Sequence, residues 1–450
     1  MKNTNQGDRN SSPHLRSPQK VGLITATSLV VGNMIGAGIY VLPATLASYG
    51  SISLVGWVLS ALGAFVLAKI FGNFSKIIVN KSGGPYVYTK EGFGDFIAFL
   101  VAWGYWISLW VGNAGLVIAI LSALNFFFPV LAENKIYGVV VGLAFIWILT
   151  WINSRGVKSS GKIQVVTTIF KLLPLVLIIL IGGFYFNIDN FPAFNLTGKS
   201  NMVTIPIVAT LTLYAFLGME SATIPAENIK NPEKIVPKAT MLGTVIVTLV
   251  YILGTIVLFG ILPVDMIQNS TAPFATAAEH IGGGVSGYFV AAGAAVAAIG
   301  ALNGWILISG QIPMASARDE LFPKIFKKEN KRGAPGIGIF IGSVLTSILL
   351  LMNFSEKLAD QFEFLVFLTT LTVLVPYVFT TASYALVLVE NKYNLDKRLK
   401  NMILAALGFS FSFWAIIGSG EPSVFYGFLL LLLGIPFYVL MAYNKKRRNE

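Results

Sequence analysis

Long apolar blocks, separated by short polar segments, occupy almost the whole chain. Each block is close to or longer than the roughly 20 residues that a helix needs to cross a bilayer. The pattern predicts twelve membrane-spanning helices, near residues 22–49, 52–78, 94–128, 136–153, 163–186, 203–225, 239–262, 284–312, 336–353, 360–388, 401–417 and 423–443. We therefore expect an all-α membrane protein with about 12 transmembrane helices.

Composition supports this class of protein. Among the 450 residues, 55% are hydrophobic and 12% are charged, and the mean hydropathy is +0.74. A soluble domain carries about 25% charged residues. The chain has no cysteine, and its two histidines, His14 and His280, lie in polar flanking segments. Disulfides and thiolate metal sites are excluded, and we expect no metal, no cofactor and no catalytic residue.

The net charge of +12 follows a membrane topology rather than a nucleic-acid surface. Of the 32 Lys and Arg residues, 28 lie in or beside segments on the same side of the predicted membrane as the N-terminus, and Lys135, Lys199 and Lys357 lie in the opposite loops. The remaining one, Lys171, lies inside a predicted span. The positive-inside rule then places both termini in the cytoplasm. We predict a multi-pass protein of the cell membrane, of the bacterial inner-membrane kind, that binds no nucleic acid.

The first predicted span contains residues that a plain membrane anchor would not need. The stretch VGNMIGAGIYVLPA (31–44) carries Asn33 and the glycines Gly32, Gly36 and Gly38. A glycine in a helix interior costs about 0.5–1 kcal/mol relative to alanine. One interpretation is that the glycines only allow close helix packing. The other is that the helix is interrupted here, with Asn33 steadying the break.

The sixth predicted span is interrupted in the same way, which favours the second interpretation. Its stretch YAFLGMESATIP (214–225) contains Gly218, the acid Glu220 and Pro225. The first span enters from the inside and the sixth from the outside, as a five-plus-five inverted repeat requires. Paired interruptions at matching positions indicate a substrate site near the bilayer midplane.

An interrupted helix in a membrane frees backbone groups that must line a cavity or bind a ligand. The amides at the start of a second half-helix suit an anion such as a carboxylate. The carbonyls at the end of a first half-helix suit an ammonium group. One pair of breaks can therefore hold both ends of an α-amino acid without a charged side chain.

Two ionisable residues lie inside predicted spans, where such residues are functional candidates. Glu220 has either a proton-linked role or a structural one, in which it bonds backbone groups at the break. Lys171, in VVTTIFKLLPLVL, either meets carbonyls or a carboxylate, or extends to the membrane surface. A fixed ammonium at that position can replace the sodium that ion-coupled transporters bind.

Three aromatic residues stand out by context among the many expected at the lipid surface. Tyr214 precedes the sixth-span break, Trp305 follows Asn303 and Gly304, and Tyr105 lies in WGYWISLWVGN. Each alone is more often a packing residue. Together they can close over a small ligand or stack on a cationic side chain.

Over residues 20–445 the chain resembles the amino acid–polyamine–organocation transporter superfamily. The resemblance is carried, in the family's order, by GNMIGAGIYVLP, KSGGPYVYTKEGFG, LGMESATIPAENIKNPEKIVPKAT and ARDELFPKIF. Among its members the chain is similar to bacterial arginine–agmatine exchangers and basic amino acid antiporters. The resemblance implies a LeuT-type five-plus-five inverted repeat with broken helices 1 and 6, which hold the substrate between them.

The resemblance also implies roles for particular residues. The substrate carboxylate is expected at the amides of Gly36, Ala37 and Gly38. The amine is expected at the carbonyls of Met34, Tyr214 and Leu217. Trp305 corresponds to the family's gating tryptophan, Tyr105 to its span-three tyrosine and Glu220 to its span-six acid.

Some positions depart from the arginine–agmatine exchangers. Those exchangers have tryptophan where this chain has Tyr214, a small polar residue where it has Phe367, and a small apolar residue where it has Lys171. The span-five lysine resembles the sodium-independent, light-subunit-like branch. Asn113 and Ser108 keep some polarity in the same pocket.

These features predict secondary active transport of amino acids by alternating access, as a sodium-independent exchanger or a proton-coupled symporter. The alternative is a polyamine or other organocation transporter of the same fold. An intramembrane enzyme would need a nucleophile with a histidine, or a metal cluster, inside the spans, and neither histidine lies there. The expected partners are an amino acid substrate and the lipid bilayer, and a homodimer stays open.

The predicted domain organisation follows from the spans. Residues 1–20 are expected to form a disordered cytoplasmic tail, residues 21–444 one transporter domain, and residues 445–450 a basic cytoplasmic tail. Within the domain we expect repeat one at about 21–186, repeat two at about 200–388, and two additional helices at about 401–443.

Overall fold

A computed structural model describes residues 20–36, 38–79, 81, 83–155, 160–224, 226, 229–353, 358–390 and 398–449. Helices dominate this part of the chain, and its only β pairing is an isolated bridge between Val21 and Ile229. The first half of the chain contains α1 Leu23–Met34, α2 Gly38–Ala47, α3 Ile52–Ile77, α4 Pro85–Asn125, α5 Val130–Glu133, α6 Lys135–Ser154, α7 Ser160–Gly182 and α8 Asn201–Tyr214. The second half contains α9 Pro232–Ile261, α10 Val264–Gln268, α11 Pro273–Gly282, α12 Gly284–Arg318, α13 Gly336–Asn353, α14 Leu358–Val389, α15 Arg398–Ile417, α16 Glu421–Leu432 and α17 Gly434–Asn449.

The expectation of an all-α membrane protein is confirmed. In the described ranges, ten helical segments are long and apolar enough to cross a membrane, and α8 and α13 are shorter apolar helices. Most begin and end within a few residues of the predicted spans. The main difference is at the start of α4, which begins at Pro85 rather than near residue 94. The helix continues through a kink at Gly94, where φ is 75°.

The C-terminal end also differs in detail from the prediction. The last predicted span, 423–443, consists of α16 and α17, which meet at Leu433. Residues 445–449 of the predicted basic tail continue α17 as helix. Residues 1–19 of the predicted N-terminal tail lie outside the described residues.

The first span is interrupted between α1 and α2. α1 ends at Met34, and Ile35 leaves the helical region with a ψ of 87°. α2 begins at Gly38 and runs to Ala47, so the apolar segment resumes as helix almost at once. Ala37 lies outside the described residues.

The sixth span is interrupted differently. α8 ends at Tyr214, and residues 215–224 form consecutive turns rather than a second helix. Bonds from an amide to the carbonyl three residues earlier, such as Leu217 to Tyr214 and Ser221 to Gly218, hold these turns. Gly218 has a φ of +99°, a conformation that side-chain-bearing residues rarely adopt.

Helix packing surrounds the two interrupted spans. α3 packs against α8 and α9, and α9 also packs against α1. α4 packs against α12 and most extensively against α14, while α7 packs against α1 and α12. The breaks in α1–α2 and after α8 therefore lie inside a shell of uninterrupted helices.

Candidate functional site

The two interruptions touch each other. A Cβ atom on Gly38 would lie 2.9 Å from the Cβ of Ala215, directly after α8. A Cβ atom on Gly218 would lie 3.1 Å from the Cβ of Asn33 at the end of α1. Asn33 also donates a hydrogen bond from Nδ2 to Ser221 Oγ at 2.8 Å. Glycine at both breaks is thus required for the close approach of the two backbones.

Three side chains from other helices donate to the last carbonyls of α1. Lys171 Nζ of α7 donates to Gly32 O at 2.6 Å, and Trp305 Nε1 of α12 donates to Asn33 O at 3.3 Å. Tyr251 Oη of α9 lies 2.7 Å from Met34 O. Carbonyls at a helix C-terminus have no partner within the helix and carry partial negative charge. These donors satisfy that end of the break.

Lys171 is fully buried, with no exposed side-chain surface. Its ammonium reaches α1, and its chain passes α12 at Gly300, where a Cβ atom would lie 3.2 Å from Lys171 Cε. Tyr40 Oη of α2 donates to the backbone carbonyl of Lys171 at 2.8 Å. Lys171 therefore connects both halves of the first span to α7, instead of extending to the membrane surface.

Tyr251 bridges the two breaks. Its hydroxyl lies 2.7 Å from Met34 O and 3.0 Å from Ala215 O, so it lies between the end of α1 and the end of α8. Its ring packs against Trp57, with ring centroids 5.0 Å apart, and against Phe216. Packing fixes the ring, and the hydroxyl then marks the point where the carbonyls of both spans converge.

Glu220 lies in a separate polar cluster beside the breaks. Its carboxylate is fully buried and accepts hydrogen bonds from Tyr105 Oη at 2.6 Å and from Tyr377 Oη at 2.8 Å. Tyr105 precedes Gly112 by seven residues on α4, or about 10 Å of helix. The cluster therefore lies on the predicted cytoplasmic side of the breaks and ties the turns after α8 to α4 and α14.

A narrow cavity of about 20 Å³ lies where the two breaks meet. That space is close to what one ordered water needs. The cavity is lined by Asn33, Met34, Gly36, Gly38, Gly112, Leu116, Tyr214, Leu217, Trp305 and Thr369. Among these lining residues there is no charged side chain, so polarity comes from the backbone, one side-chain amide, the two hydroxyls and the indole.

The walls of this cavity are tight. A Cβ atom on Gly36 would lie 2.9 Å from Ala301 Cβ and 3.1 Å from Leu116 Cδ2. On the predicted outer side, the Tyr214 ring meets Phe362 of α14 edge to face, with centroids 5.8 Å apart. The cavity thus lies between an aromatic pair on one side and the Glu220 cluster on the other.

The structure brings together six of the residues predicted to bind substrate. The residues that line the cavity are Met34, Gly36, Gly38, Tyr214, Leu217 and Trp305. Two backbone groups that were predicted to bind substrate have partners within the protein. The Gly36 amide donates to Met34 O at 3.0 Å, and the Tyr251 hydroxyl donates to the same carbonyl. Ala37 lies outside the described residues.

Four other predicted residues lie off the cavity lining. Tyr105 binds Glu220, and Ser108 donates to the Tyr105 carbonyl at 2.6 Å within α4. Asn113 is buried, and neither of its side-chain polar atoms has a partner in the described structure. Phe367 is half-buried on α14, where Thr369, two residues later, lines the cavity instead.

Sequence reasoning missed three residues of the site. Thr369 is buried with an unpartnered hydroxyl, and its signal was the polar run Thr369, Thr370 and Thr372 inside an apolar span. Tyr251 and Tyr377 lie in apolar stretches of α9 and α14, and no local pattern distinguishes them from lipid-facing tyrosines. In the described chain, no group of three or more His, Asp or Glu residues is arranged to hold a metal ion.

Comparison with known proteins agrees with this geometry. The family model described as amino acid permease matches residues 21–440. The chain is 31% identical to the arginine/ornithine antiporter of Pseudomonas aeruginosa, over 95% of this chain and 92% of that protein. It is 32% identical to a putrescine transporter of Haemophilus influenzae, over 94% and 98%, and 31% identical to the cadaverine/lysine antiporter of Escherichia coli, over 97% and 98%. The chain belongs to the amino acid permease family.

Proposed function

We propose that this amino acid permease exchanges amino acids across the cell membrane by alternating access, with the substrate held where its two interrupted spans meet. The observation that carries the proposal is the cavity between the end of α1, the start of α2 and the turns after α8. Backbone donors and acceptors converge there, and no charged side chain lines it. That is the chemistry expected of a site for a zwitterion.

Each end of an amino acid has a complement in this cavity. α2 begins at Gly38, and the first amides of a helix have no partner inside it, so they suit the carboxylate. Met34 of the first span and Leu217 after α8 both line this space, and we propose that their carbonyls receive the ammonium. Tyr251 occupies the Met34 carbonyl in this conformation, and the substrate amine would take its place.

The pairing of helices supports the inverted repeat that we propose for the fold. If spans one to five correspond to spans six to ten, then α3, which is span two, corresponds to α9, and α8, which is span six, corresponds to the first span. The contact of α3 with α8 should then recur as a contact of α9 with α1, and both contacts are extensive. The contact of α4 with α14 should recur as one of α12 with α7, which is also present. A twelve-span architecture with two helices added after the repeats fits α15 and the pair α16–α17.

Alternating access requires that the site open to one side at a time. The Tyr214–Phe362 pair lies on the predicted outer side and the Glu220 cluster on the predicted inner side. A cavity of about 20 Å³ is too small for an amino acid, so its walls would have to separate to admit the substrate. We propose that these two layers separate in turn as the carrier opens outward and inward.

Lys171 supports a sodium-independent mechanism. Its ammonium supplies a fixed positive charge at the Gly32 carbonyl, where a bound cation would otherwise be needed to satisfy the break. Exchange is the mode that the antiporter names of the relatives favour, and proton symport through Glu220 is the alternative. We expect uptake to be the same in sodium and in potassium media.

The substrate class follows from the relatives and the aromatic lining. The similar proteins are named for arginine, ornithine, lysine, cadaverine and putrescine. Tyr214 and Trp305 line the cavity, and aromatic rings can contact a cationic side chain by cation–π attraction. We therefore propose basic amino acids as the first substrates to test, with both termini of the protein on the cytoplasmic side of a bacterial inner membrane.

The test is counterflow in proteoliposomes. Vesicles loaded with unlabelled arginine, ornithine, lysine or a neutral amino acid are diluted into labelled amino acid, with sodium, potassium or a pH gradient varied separately. The proposal predicts accumulation of label only when the lumen holds a transported amino acid. Absence of amino acid uptake in every condition would overturn it, and strict dependence on sodium would overturn the role given to Lys171.

A diamine carrier is the second candidate, because one similar protein is a putrescine transporter. A diamine has no carboxylate to place at the start of α2, and two ammonium groups would both need acceptors. The same vesicles loaded with putrescine or cadaverine separate the two candidates. Counterflow with diamines but not with any amino acid would favour this second function.

A further inference from the structure

A second cavity, of about 680 Å³, lies away from the helix breaks at the predicted cytoplasmic end of the molecule. It is bounded by the end of α12, the 3-10 turn Lys324–Lys327 and the C-terminal part of α17. Neither proposed layer of the transport pathway includes it. Its position and chemistry call for a separate explanation.

The rim of this cavity is cationic. Lys324, Lys327 and Arg447 line it, all three are exposed, and none of them forms an ion pair in the part of the chain that the structure describes. Glu320 is the single acid among the lining residues. Three cations against one acid leave a net positive rim whose charge is available to a ligand.

The floor of the cavity is apolar. Phe322 is buried, and Met441 and Ala317 also contribute to the lining. On α17 the side chains of Leu440 and Tyr443 are exposed, as expected of a lipid-facing surface, and the basic segment begins two residues later at Lys445. The cavity therefore lies at the level where hydrocarbon gives way to headgroups, with an exposed tyrosine typical of that level.

We propose that this cavity binds the phosphate of an anionic phospholipid from the cytoplasmic leaflet. Its cations would contact the phosphate, and its apolar floor would contact the glycerol and the first acyl carbons. Basic residues on the cytoplasmic side of spans attract anionic lipids, and basic pockets between helices bind their headgroups. The proposal rests on the orientation given under the proposed function, but not on the identity of the transported substrate.

The lipid would lie next to an ion-pair network that joins three helices. Lys445 of α17 lies 3.1 Å from Asp95 of α4, and Lys90 of α4 lies 3.4 Å from Asp95 and 3.2 Å from Asp319 at the end of α12. Arg447 follows Lys445 by two residues on α17. A bound headgroup would add a further connection between α17 and the turn after α12, so binding should raise the thermal stability of the protein.

The experiment compares the full chain with a variant in which Lys324→Gln, Lys327→Gln and Arg447→Gln are combined. A matched control combines Lys230→Gln, Lys234→Gln and Lys238→Gln, which removes the same charge from another exposed cytoplasmic segment. Each delipidated protein is titrated with phosphatidylglycerol in phosphatidylcholine nanodiscs, and bound lipid is counted by native mass spectrometry. We expect about 10–100-fold weaker retention for the cavity variant and less than about a threefold change for the control.

Thermal unfolding gives an independent readout. Phosphatidylglycerol should raise the Tm of the wild type and the control, and it should leave the Tm of the cavity variant unchanged. Equal retention in all three proteins would overturn the proposal, as would equal loss in the cavity variant and the control. Protection by millimolar inorganic phosphate without any lipid would identify a free anion as the ligand and would also overturn it. None of these measurements depends on transport, so failure here leaves the proposed function untouched.

Discussion

The two interrupted spans meet at one cavity, but their freed backbone groups are satisfied in different ways. At the first break, the carbonyls of Gly32, Asn33 and Met34 receive donors from α7, α12 and α9. At the second, most bonds are local, running from one turn to the carbonyl three residues before it. The first break is thus held by its neighbours, and the second mainly by itself.

This difference has a consequence for motion. Donors on α7, α9 and α12 must move with the end of α1 or release it. A shift of any of these three helices therefore changes the hydrogen bonds at the first break. The turns after α8 can move as a unit, because their bonds travel with them. Glu220 ties those turns to α4 and α14, through Tyr105 and Tyr377. Asn33 of α1 bonds Ser221, and Tyr251 of α9 bonds the Ala215 carbonyl.

Filling the first break should have the largest effect. Gly36→Val would place a Cβ atom 2.9 Å from Ala301 Cβ, and the two further methyl groups have no space. We expect transport below about 1% of wild type, since overpacking by even one methylene group costs about 1–3 kcal/mol. Uptake into proteoliposomes measures this, with Gly22→Val as the control, because nothing lies within 4 Å of a Cβ atom there. Normal transport by Gly36→Val with full membrane insertion would contradict the site.

Removing the charged donor at the first break should come next. Lys171→Met keeps the length and burial of the chain but loses the hydrogen bond to Gly32 O. A hydrogen bond to a charged group contributes about 1.5–3 kcal/mol, so uptake should fall about 10–100-fold. The matched control is Lys76→Met, at an exposed lysine of α3. Wild-type rates in Lys171→Met would mean that the neighbours do not hold this break.

The second break is tested through Glu220, which links it to α4 and α14. Glu220→Gln leaves one good acceptor for two tyrosine hydroxyls, so we expect about tenfold slower uptake. Tyr105→Phe and Tyr377→Phe remove the same contacts from the other side. A double-mutant cycle should show that each tyrosine substitution has little further effect once Glu220→Gln is present. Fully additive losses would show that the three residues do not act as one cluster, and a pH dependence that disappears in Glu220→Gln would assign the proton-linked role.

The bridge between the breaks should give the smallest effect. Tyr251→Phe removes a neutral hydroxyl that lies between Met34 O and Ala215 O. The loss of such a bond costs about 1 kcal/mol, so we expect about a fivefold change in the apparent affinity for substrate. Tyr288→Phe, at a half-exposed tyrosine of α12, is the control. A Tyr251→Phe variant with unchanged affinity would separate the bridge from substrate binding.

Much of the architecture was predictable because it depends on periodic, local signals. Apolar length located most spans, and paired glycines located both interruptions, since a membrane helix accepts that cost only for a reason. The form of the second interruption was not predictable. Gly218 indicates an interruption near this point, and α8 ends four residues earlier, at Tyr214. Nothing in SATIP says whether the chain resumes as a helix or continues as turns.

The site was predictable where it depends on backbone chemistry and less so where it depends on distant partners. Gly36, Gly38 and Trp305 line the cavity as expected. Thr369 lines it where Phe367 was expected, because a shift of two residues turns a side chain to the opposite face of a helix. Tyr251 is 217 positions from Met34 in sequence, and only the folded chain brings its hydroxyl to that carbonyl.

The Tyr251 hydroxyl places the ends of the two interrupted spans in competition for one proton. A phenol has a single proton to donate, and it stands within reach of two buried carbonyl oxygens. Met34 O also accepts from the Gly36 amide at 3.0 Å, so a proton donated to Ala215 O leaves Met34 O with a partner. The two breaks therefore depend on the tyrosine unequally, since the carbonyl at the end of α1 keeps a backbone donor when the hydroxyl turns to the other span. If the substrate amine binds at these oxygens, as proposed above, its three protons would let it replace the hydroxyl at both of them.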